Sequence, residues 1–270
     1  MQSWRLLTTP PMRGAWNMAA DEAILRHIGS GDSPPTLRLY AWSPACLSLG
    51  YSQPFANVDT QRLAARGWDV VRRITGGRAI LHADELTYSI IAPNDEPRMA
   101  GSILESYNRL AQALSLALQY LNIPIEVKEE RISGTPNANP VCFEVSSTYE
   151  ITANGKKLIG SAQARKKEGA LQHGSLPLSG DLTRICETLV FDDEAARAEA
   201  SQCLLARATT VEAALGRTIA WETASRAFIR AFEMQFGIQF EKGELSISER
   251  TAINELVSEK YGCPSWTQRV

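Results

Sequence analysis

A cysteine and a lysine fifteen residues apart, Cys142 and Lys157, are the residues of this chain whose types and spacing best suit covalent chemistry. The thiolate is the nucleophilic form of cysteine, and a nearby ammonium group lowers the pKa of a thiol. Together the two side chains could form an activated nucleophile. Each alone has an ordinary explanation, because cysteine often serves as a small buried residue and a hairpin lysine is usually solvated. On the residues alone both interpretations stay open.

The segment around Lys157 reads N-G-K-K-L-I-G-S-A-Q over residues 154–163. The Asn154-Gly155 pair predicts a tight turn, so we expect Thr148 to Ala153 and Lys156 to Ala164 to form a hairpin. The apolar residues after Lys157 indicate a largely buried strand, in which a lysine is costly unless it is paired or used. Small side chains there would let a ligand or another backbone approach closely, and they belong to Gly160, Ser161 and Ala162.

A second motif, R-R-I-T-G-G-R-A-I-L-H over residues 72–82, combines arginines with a glycine pair. Glycine lets backbone amides approach a ligand, and arginine binds phosphate or carboxylate in a fork. The motif is neither a phosphate-binding P-loop nor a dinucleotide-binding fingerprint, and a surface hairpin with solvated arginines is the alternative. His82 within it, and His173 in Q-H-G, could each be a general base, a substrate contact or a structural histidine.

The composition is that of an ordinary globular protein, with 270 residues, 44% hydrophobic and 21% charged, and a formal net charge of -2. Nothing in this balance indicates nucleic acid or an anionic membrane as a partner. No apolar run approaches the roughly 20 residues that span a bilayer. Five scattered cysteines without C-x-x-C, and only three histidines, argue against a disulfide framework and a metal site. We therefore expect a cytoplasmic protein without a metal.

The order of the elements predicts an α/β (α+β) fold with a mixed, largely antiparallel sheet core, flanking helices and a helical C-terminal part. Strand-like segments dominate up to Gly180, interrupted by helices predicted at Asn17 to Ile28 and Ser102 to Leu121. Helical patterns follow, including a Phe228, Phe232 and Phe236 stripe. We expect one catalytic domain over residues 1–270, with a helical C-terminal extension over about 181–270.

Three motifs in order, at residues 72–82, 155–163 and 171–176, are similar to those of one known superfamily. Together they resemble the biotin/lipoate protein ligases and lipoyl(octanoyl)transferases, over roughly residues 30–215. The resemblance implies the catalytic sheet core of that superfamily. It also implies that the following residues bind substrate: Arg72, Arg73, Gly76, Gly77, Arg78, His82, Gly160, Ser161, Ala162, His173 and Gly174.

The position of Cys142 selects among the groups of the superfamily. ATP-dependent lipoate ligases typically have a third glycine where this chain has Arg78, and they lack a catalytic cysteine. One octanoyltransferase group carries its cysteine after the lysine motif, where Ser175 to Gly180 has none. Cys142 precedes the lysine motif, as in the octanoyltransferases of Gram-positive type. The resemblance therefore implies that Cys142 is the acyl-thioester nucleophile and that Lys157 lowers its pKa.

The activity implied is transfer of an octanoyl group from acyl carrier protein to the lysine of a lipoyl domain, such as glycine-cleavage H protein. No ATP or metal would be needed, since the donor is a thioester on phosphopantetheine. An arginine of the Gly-Gly motif could meet the phosphate, and backbone amides at Gly160 to Ala162 are candidates for an oxyanion hole. We expect a monomer that binds neither nucleic acid nor membrane.

Three other functions fit the same residues. An octanoyl amidotransferase would move the acyl group between lipoyl domains with the same cysteine and lysine. An ATP-dependent lipoate ligase would instead activate the free acid, although Cys142 and Arg78 argue against it. A catalytically inactive acyl-binding module on this fold is disfavoured because both Cys142 and Lys157 are present.

Overall fold

A computed structural model describes residues 2–129 and 149–270, so that Cys142 lies outside the described residues. Its strands are β1 (Gln2–Thr8), β2 (Thr36–Tyr40), β3 (Cys46–Leu49), β4 (Asp69–Arg72), β5 (Ile80–His82), β6 (Glu85–Ala92), β7 (Ile125–Glu129), β8 (Tyr149–Ala153), β9 (Lys156–Lys157), β10 (Gly160–Lys166), β11 (Gly169–Pro177) and β12 (Ile238–Lys242). Its α-helices are α1 (Gly14–Ser30), α2 (Thr60–Ala65), α3 (Ile103–Tyr120), α4 (Glu194–Arg207), α5 (Val211–Leu215), α6 (Trp221–Phe236), α7 (Ile247–Leu256) and α8 (Pro264–Thr267).

The main sheet has six strands in the order β10-β11-β6-β2-β1-β12. The pairs from β10 to β2 are antiparallel, whereas β1 pairs with β2 and β12 in parallel. The described part of the chain also contains two three-stranded sheets, β4-β3-β5 and β7-β8-β9. This arrangement confirms the predicted α/β class with a mixed, largely antiparallel core.

The two faces of the main sheet carry different side chains. Successive residues of a strand point to opposite faces, so Leu37 and Leu39 of β2 lie in an apolar core with α3 and α6. Phe228 and Phe232, two members of the predicted aromatic stripe on α6, are fully buried there. The opposite face lies under α1. Strand register places polar residues on this α1 face in one row, with Arg38 opposite Ser89 and Ser89 opposite His173.

The predicted hairpin around Lys157 is partly confirmed. Asn154 and Gly155 both have positive φ, at 52° and 74°, as the predicted turn requires. The long second strand is wrong, however, because β9 ends at Lys157 and β10 begins at Gly160 in a different sheet. Leu158 and Ile159 between them are both buried, so the chain crosses from one sheet to the other through the core.

The predicted helical C-terminal part is confirmed by α4 to α8, but it also contains one strand that the sequence did not predict. Strand β12 pairs in parallel with β1, and α6 packs against α3 in the core. The residues after Gly180 are therefore mostly helical, as predicted, and they also complete one edge of the main sheet. The five residues of β12, I-Q-F-E-K, are too few to give a strong alternation signal beside a sixteen-residue helix. Within residues 2–129 and 149–270, no helix is long and apolar enough to cross a membrane.

Candidate active site

A cavity lies on the α1 face of the main sheet. Met18 of α1, with Tyr40, Trp42 and Ile80, forms its apolar wall. The indole of Trp42 stacks on the imidazole of His82, with ring centroids 4.0 Å apart and planes 9° apart. The sequence-predicted residues that line this cavity are Arg73, Gly77, His82, Gly160, Ser161, Ala162, His173 and Gly174.

The remaining predicted residues have other positions. Gly76 and Arg78 flank Gly77, and both offer their carbonyl oxygens to Arg73 at 2.9 Å. Lys157 is buried on β9, and its carbonyl accepts a hydrogen bond from the Thr209 amide at 3.0 Å. It precedes the cavity-lining Gly160 by three residues. Its proposed contact with Cys142 stays a prediction, since Cys142 lies outside the described residues.

Arg72 does not line the cavity; its side chain binds backbone segments outside the cavity lining. Its guanidinium is fully buried and donates five hydrogen bonds to backbone carbonyls, at 2.6–3.3 Å. Two reach Thr267, and the others reach the loop at Gly50, Tyr51 and Gln53. Burial lowers the pKa of this guanidinium, and the charge of Arg269 lowers it further. These bonds leave Arg72 directed at the backbone, not at a substrate phosphate.

Close backbone approach explains two of the glycines. A β-carbon on Gly174 would lie 2.6 Å from both Ser161 Oγ and a ring carbon of Tyr88, so any larger residue would push β10 away. A β-carbon on Gly50 would lie 1.7 Å from the carbonyl oxygen of Gly77. The loop that carries Gly76 and Gly77 therefore packs directly on the end of β3.

His82 is held by a buried carboxylate on one side and a hydroxyl on the other. Its Nδ1 lies 2.6 Å from Glu85 Oε1, and its Nε2 lies 2.7 Å from Ser48 Oγ. The same carboxylate accepts short hydrogen bonds from the hydroxyls of Thr87 and Ser175. Both ring nitrogens are therefore engaged.

His173 has a parallel arrangement. Its Nε2 lies 2.7 Å from Thr75 Oγ1, and its Nδ1 lies 3.3 Å from Asp21 Oδ2. Asp21, on α1, also accepts from Arg38 at 2.7 Å and from Tyr40 at 3.1 Å. Burial lowers the pKa of the His173 ring, and Asp21 opposes this only in part. The neutral imidazole is therefore the favoured form.

The hydrogen-bond donors assign the tautomers of both rings. Arg73 can only donate, and it does so to Ser48 Oγ at 2.9 Å and to Thr75 Oγ1 at 3.3 Å. Each hydroxyl keeps its own proton and can donate it to Nε2 of a histidine. A carboxylate can only accept, so the Nδ1 that faces it carries a proton in each ring. In this geometry neither His82 nor His173 has a ring nitrogen open to act as a general base toward Cys142.

Sequence reasoning missed the two carboxylates that orient the histidines, Asp21 and Glu85. Glu85 follows His82 by three residues, a spacing that could have suggested the pair. Asp21 lies among apolar residues in A-A-D-E-A-I-L, and a carboxylate on the buried face of a helix is itself a signal. The helix prediction placed Asn17 at its cap, whereas Asn17 lies inside α1 and donates to the carbonyls of Met12 and Ala41.

The lowered pKa values of Asp21 and His173 predict that the protein loses stability in acid. Burial opposes ionisation of Asp21, but the charge of Arg38 and the bonds to His173 outweigh it and hold the pKa below its ordinary value. The pKa of His173 is also lowered, so the unfolded chain binds more protons at both sites as pH falls. We expect the melting temperature to fall below about pH 6.5, through the histidine, and again below about pH 4, through the carboxylate.

The variant Asp21→Asn tests the carboxylate part of that pH dependence. It leaves Arg38 buried without its carboxylate, so we expect a loss of about 3–5 kcal/mol at pH 7 that shrinks toward pH 3. Thermal unfolding across pH 3–8 measures this, with exposed Asp192→Asn as the control. Parallel profiles for wild type and Asp21→Asn would contradict the assignment.

No cluster of histidine, cysteine and carboxylate side chains suited to a metal ion occurs in the described part of the chain. The polar groups around the cavity are instead bonded to one another, so the arrangement suits an uncharged chain lying against Met18, Tyr40 and Trp42.

Residues 13–233 match the lipoyl protein ligase A/B catalytic domain, and the chain belongs to that family. The resemblance read from the three motifs is thereby confirmed. Among curated relatives, octanoyltransferase LipM of Moorella thermoacetica is 41% identical, covering 99% of this chain and 98% of the relative. Octanoyltransferase LipM of Kyrpidia tusciae is 38% identical, with 100% of each chain covered.

The fold is shared with solved lipoate ligases. The bi-partite lipoate protein ligase of Thermoplasma acidophilum superposes with a TM-score of 0.84 at 23% identity, covering 99% of this chain and 97% of that one. A structure of lipoate-protein ligase A bound with ATP gives a TM-score of 0.79 at 24% identity, with 99% of each chain covered. At this identity the likeness establishes the fold alone.

Proposed function

We propose that this protein is an octanoyltransferase that moves an octanoyl group from acyl carrier protein, through a thioester on Cys142, to the lysine of a lipoyl domain. Octanoyl transfer in protein lipoylation is the activity of the octanoyltransferases to which this chain is similar. The observation that carries the assignment is similarity to octanoyltransferases along essentially the whole chain, at 35–41% identity. The same relationship supports a lipoyl domain as acceptor. The carrier-protein donor, a monomeric state and a cytoplasmic location are parts of the proposal.

The first step exchanges one thioester for another. The Cys142 thiolate attacks the octanoyl carbonyl, a new carbon–sulfur bond forms, and the bond to the carrier thiol breaks as that thiol leaves and takes up a proton. The bond types on the two sides are the same, so the step needs no external energy source. Lys157 would favour the thiolate through its charge and could also donate to the developing oxyanion.

The second step forms an amide. The neutral amine of the lipoyl-domain lysine attacks the acyl-enzyme, the bond from the carbonyl carbon to Cys142 breaks, and the amine loses a proton. Conversion of a thioester to an amide is downhill, so we propose that neither ATP nor a metal is required. Two half-reactions through a covalent intermediate predict ping-pong kinetics.

The lining of the cavity supports an acyl substrate. Its apolar wall suits the octanoyl tail, while the Gly76–Gly77 loop and the small residues of β10 leave space at the reacting end. Backbone amides in either segment could stabilise the tetrahedral intermediate.

Intact mass spectrometry tests the proposal. Wild-type protein mixed with octanoyl-acyl carrier protein, without ATP, should gain one octanoyl group that hydroxylamine removes. Adding an apo-lipoyl domain should then discharge the adduct and yield an octanoylated domain. Absence of the adduct under conditions where the domain is still octanoylated would reject the covalent route.

Two further mixtures separate the alternatives. Octanoylated lipoyl domain in place of the carrier protein should charge the enzyme more slowly, whereas faster charging would favour the amidotransferase. Pyrophosphate release on mixing the protein with ATP and lipoate would favour the ligase.

Met18 gives a prediction about chain length. This residue is 3% exposed and lines the cavity, so Met18→Ala should enlarge the space for the acyl tail. Decanoyl has two more methylenes than octanoyl, and each buried methylene contributes about 0.8 kcal/mol, so we expect the decanoyl-to-octanoyl ratio of kcat/KM to rise by up to about 15-fold. Competition between the two acyl-carrier proteins, read by mass spectrometry of the product, measures this ratio.

Met99→Ala is the matched control for that experiment. Met99 is also buried, but it lies in the core on the other side of the sheet. Both substitutions should cost stability, typically about 2–5 kcal/mol, and only Met18→Ala should change the ratio. Equal ratios in the two variants would place the acyl tail elsewhere.

A further inference from the structure

The side chain of Arg73 hydrogen-bonds to the Gly76–Gly77 loop and to the hydroxyls of Ser48 and Thr75. Those two hydroxyls in turn contact the rings of His82 and His173. It is 3% exposed, and its Nη1 donates to the Ser48 carbonyl at 2.8 Å as well as to the Ser48 hydroxyl. Its Nε donates to the Thr75 hydroxyl, and its Nη2 donates to the carbonyls of Gly76 and Arg78. Five hydrogen bonds from one planar group thus converge on the wall of the cavity.

We propose that Arg73 is a positioning residue for acyl transfer: it holds the Gly76–Gly77 loop in place and couples it to the pairs His82–Glu85 and His173–Asp21. Hydrogen bonds connect successive residues in one continuous chain, which runs through Glu85, His82, Ser48, Arg73, Thr75, His173 and Asp21. The role in transfer rests on the proposed function, whereas the coupling of the two histidines does not.

The loop itself explains why such support is needed. Gly77 has a φ of +89°, and adjacent glycines lose more conformational entropy on ordering than any other residues. Both glycines are exposed, so few side-chain contacts hold them. The Arg73 bonds to the carbonyls on either side of Gly77 restrict the loop from within the protein, where it faces the cavity.

Lysine could not replace this side chain. A guanidinium presents five donors in a fixed plane, whereas an ammonium presents three from a single atom. One ammonium cannot reach the Ser48 hydroxyl, the Thr75 hydroxyl and the two loop carbonyls together. Arg73→Lys should therefore keep the charge and lose the geometry.

The hydrogen bonds that start at Arg73 also reach residues on both sides of the cavity. Glu85 and Ser48 hold the His82 ring, on which Trp42 of the apolar wall stacks. The His173 ring is held beside Ala162, its register partner on β10. A displacement of Arg73 would therefore shift the loop, the apolar wall and the β10 side of the cavity at once.

Arg73→Lys and Arg5→Lys are the variants to compare. Arg5 is a second well-bonded arginine, which pairs with Glu249 at 2.6–2.8 Å and lies outside the cavity lining. We expect both variants to lose stability, but only Arg73→Lys to lose kcat, by about 100-fold, since a misplacement of about 1 Å can have that effect. Single-turnover octanoyl transfer and thermal unfolding measure the two effects.

Nitrogen-15 spectra of the histidine rings provide a readout independent of the acyl substrate. Wild type should show a proton on Nδ1 of both His82 and His173. Ser48→Ala should alter the signal of His82 alone and Thr75→Val that of His173 alone, while Arg73→Lys should alter both. These milder variants keep the test available if Arg73→Lys does not fold.

The outcomes separate this inference from the proposed function. Unchanged ring signals in Arg73→Lys, or equal kcat losses in Arg73→Lys and Arg5→Lys, would overturn the positioning role. Altered signals with wild-type protein inactive toward octanoyl-acyl carrier protein would support the coupling and reject the proposed function instead.

Discussion

Cys142→Ala should abolish octanoyl transfer, with kcat reduced by at least about 10⁴-fold and no octanoyl adduct detectable by intact mass. The expected loss is large because the proposed route has no second nucleophile, and knockouts of a covalent nucleophile in other enzymes cost about 10⁶-fold. Single-turnover assays with octanoyl-acyl carrier protein and apo-lipoyl domain measure it. Cys142→Ala should still bind acyl donor, because the apolar wall of the cavity is unchanged.

Cys186→Ala is the matched control for that substitution. Cys186 is fully buried in an apolar cluster with Leu189 and Leu204, so its thiol acts as a small packing group. We expect this variant to lose some stability and to keep its adduct and most of its activity. Full transfer activity in Cys142→Ala would contradict the assignment of Cys142 as the nucleophile.

Lys157→Met should lower transfer by about 10²–10³-fold and slow alkylation of Cys142 at pH 7. Methionine keeps a similar length and removes the charge, so the thiol should lose its thiolate character and its pKa should rise. Loss of an oxyanion donor of this kind costs about 10²–10³-fold in kcat. The measurement is the iodoacetamide alkylation rate of Cys142 as a function of pH, followed by peptide mass spectrometry.

Lys156→Met controls for a general effect of removing a lysine from the hairpin. The Lys156 ammonium donates to the carbonyl of Leu205 at 2.5 Å, whereas Lys157 is buried at 6% exposure. Lys156→Met should leave the alkylation profile of Cys142 unchanged. If Lys157→Met shows the wild-type profile as well, then lysine does not tune the thiol.

The fold class was predictable because its signals are local. The apolar period of α3 lies within eighteen residues, and the Asn154-Gly155 turn is specified by two. The break between β9 and β10 was not predictable, since Leu158 and Ile159 suit a strand equally well in either sheet. Strand β12 was missed because its pairing with β1 joins residues more than 230 apart, which no local pattern reveals.

The residues of the candidate site were predictable as a set of motifs, but the hydrogen bonds among them were not. Gly77, His82, Gly160 and His173 line one cavity, as their shared family order suggested. Arg72 and Arg73, adjacent in sequence, face different surroundings: the guanidinium of Arg72 bonds only to backbone carbonyls outside the cavity lining, among them that of Thr267, whereas Arg73 lines the cavity and also bonds to the hydroxyls of Ser48 and Thr75. Alternation along the chain places neighbours on opposite sides, and residue type alone does not say which side is which.

The sequence by itself determined the chemistry available, because a thiol, an ammonium group and a glycine loop are properties of residues and of their local order. Only the tertiary structure decided what each group can do. Asp21 and His173 are 152 residues apart, yet they hydrogen-bond, and this contact and the one with Thr75 leave the imidazole without an open nitrogen. Burial and partners set protonation and orientation, and both come from segments that meet only when the sheet and α1 have packed together.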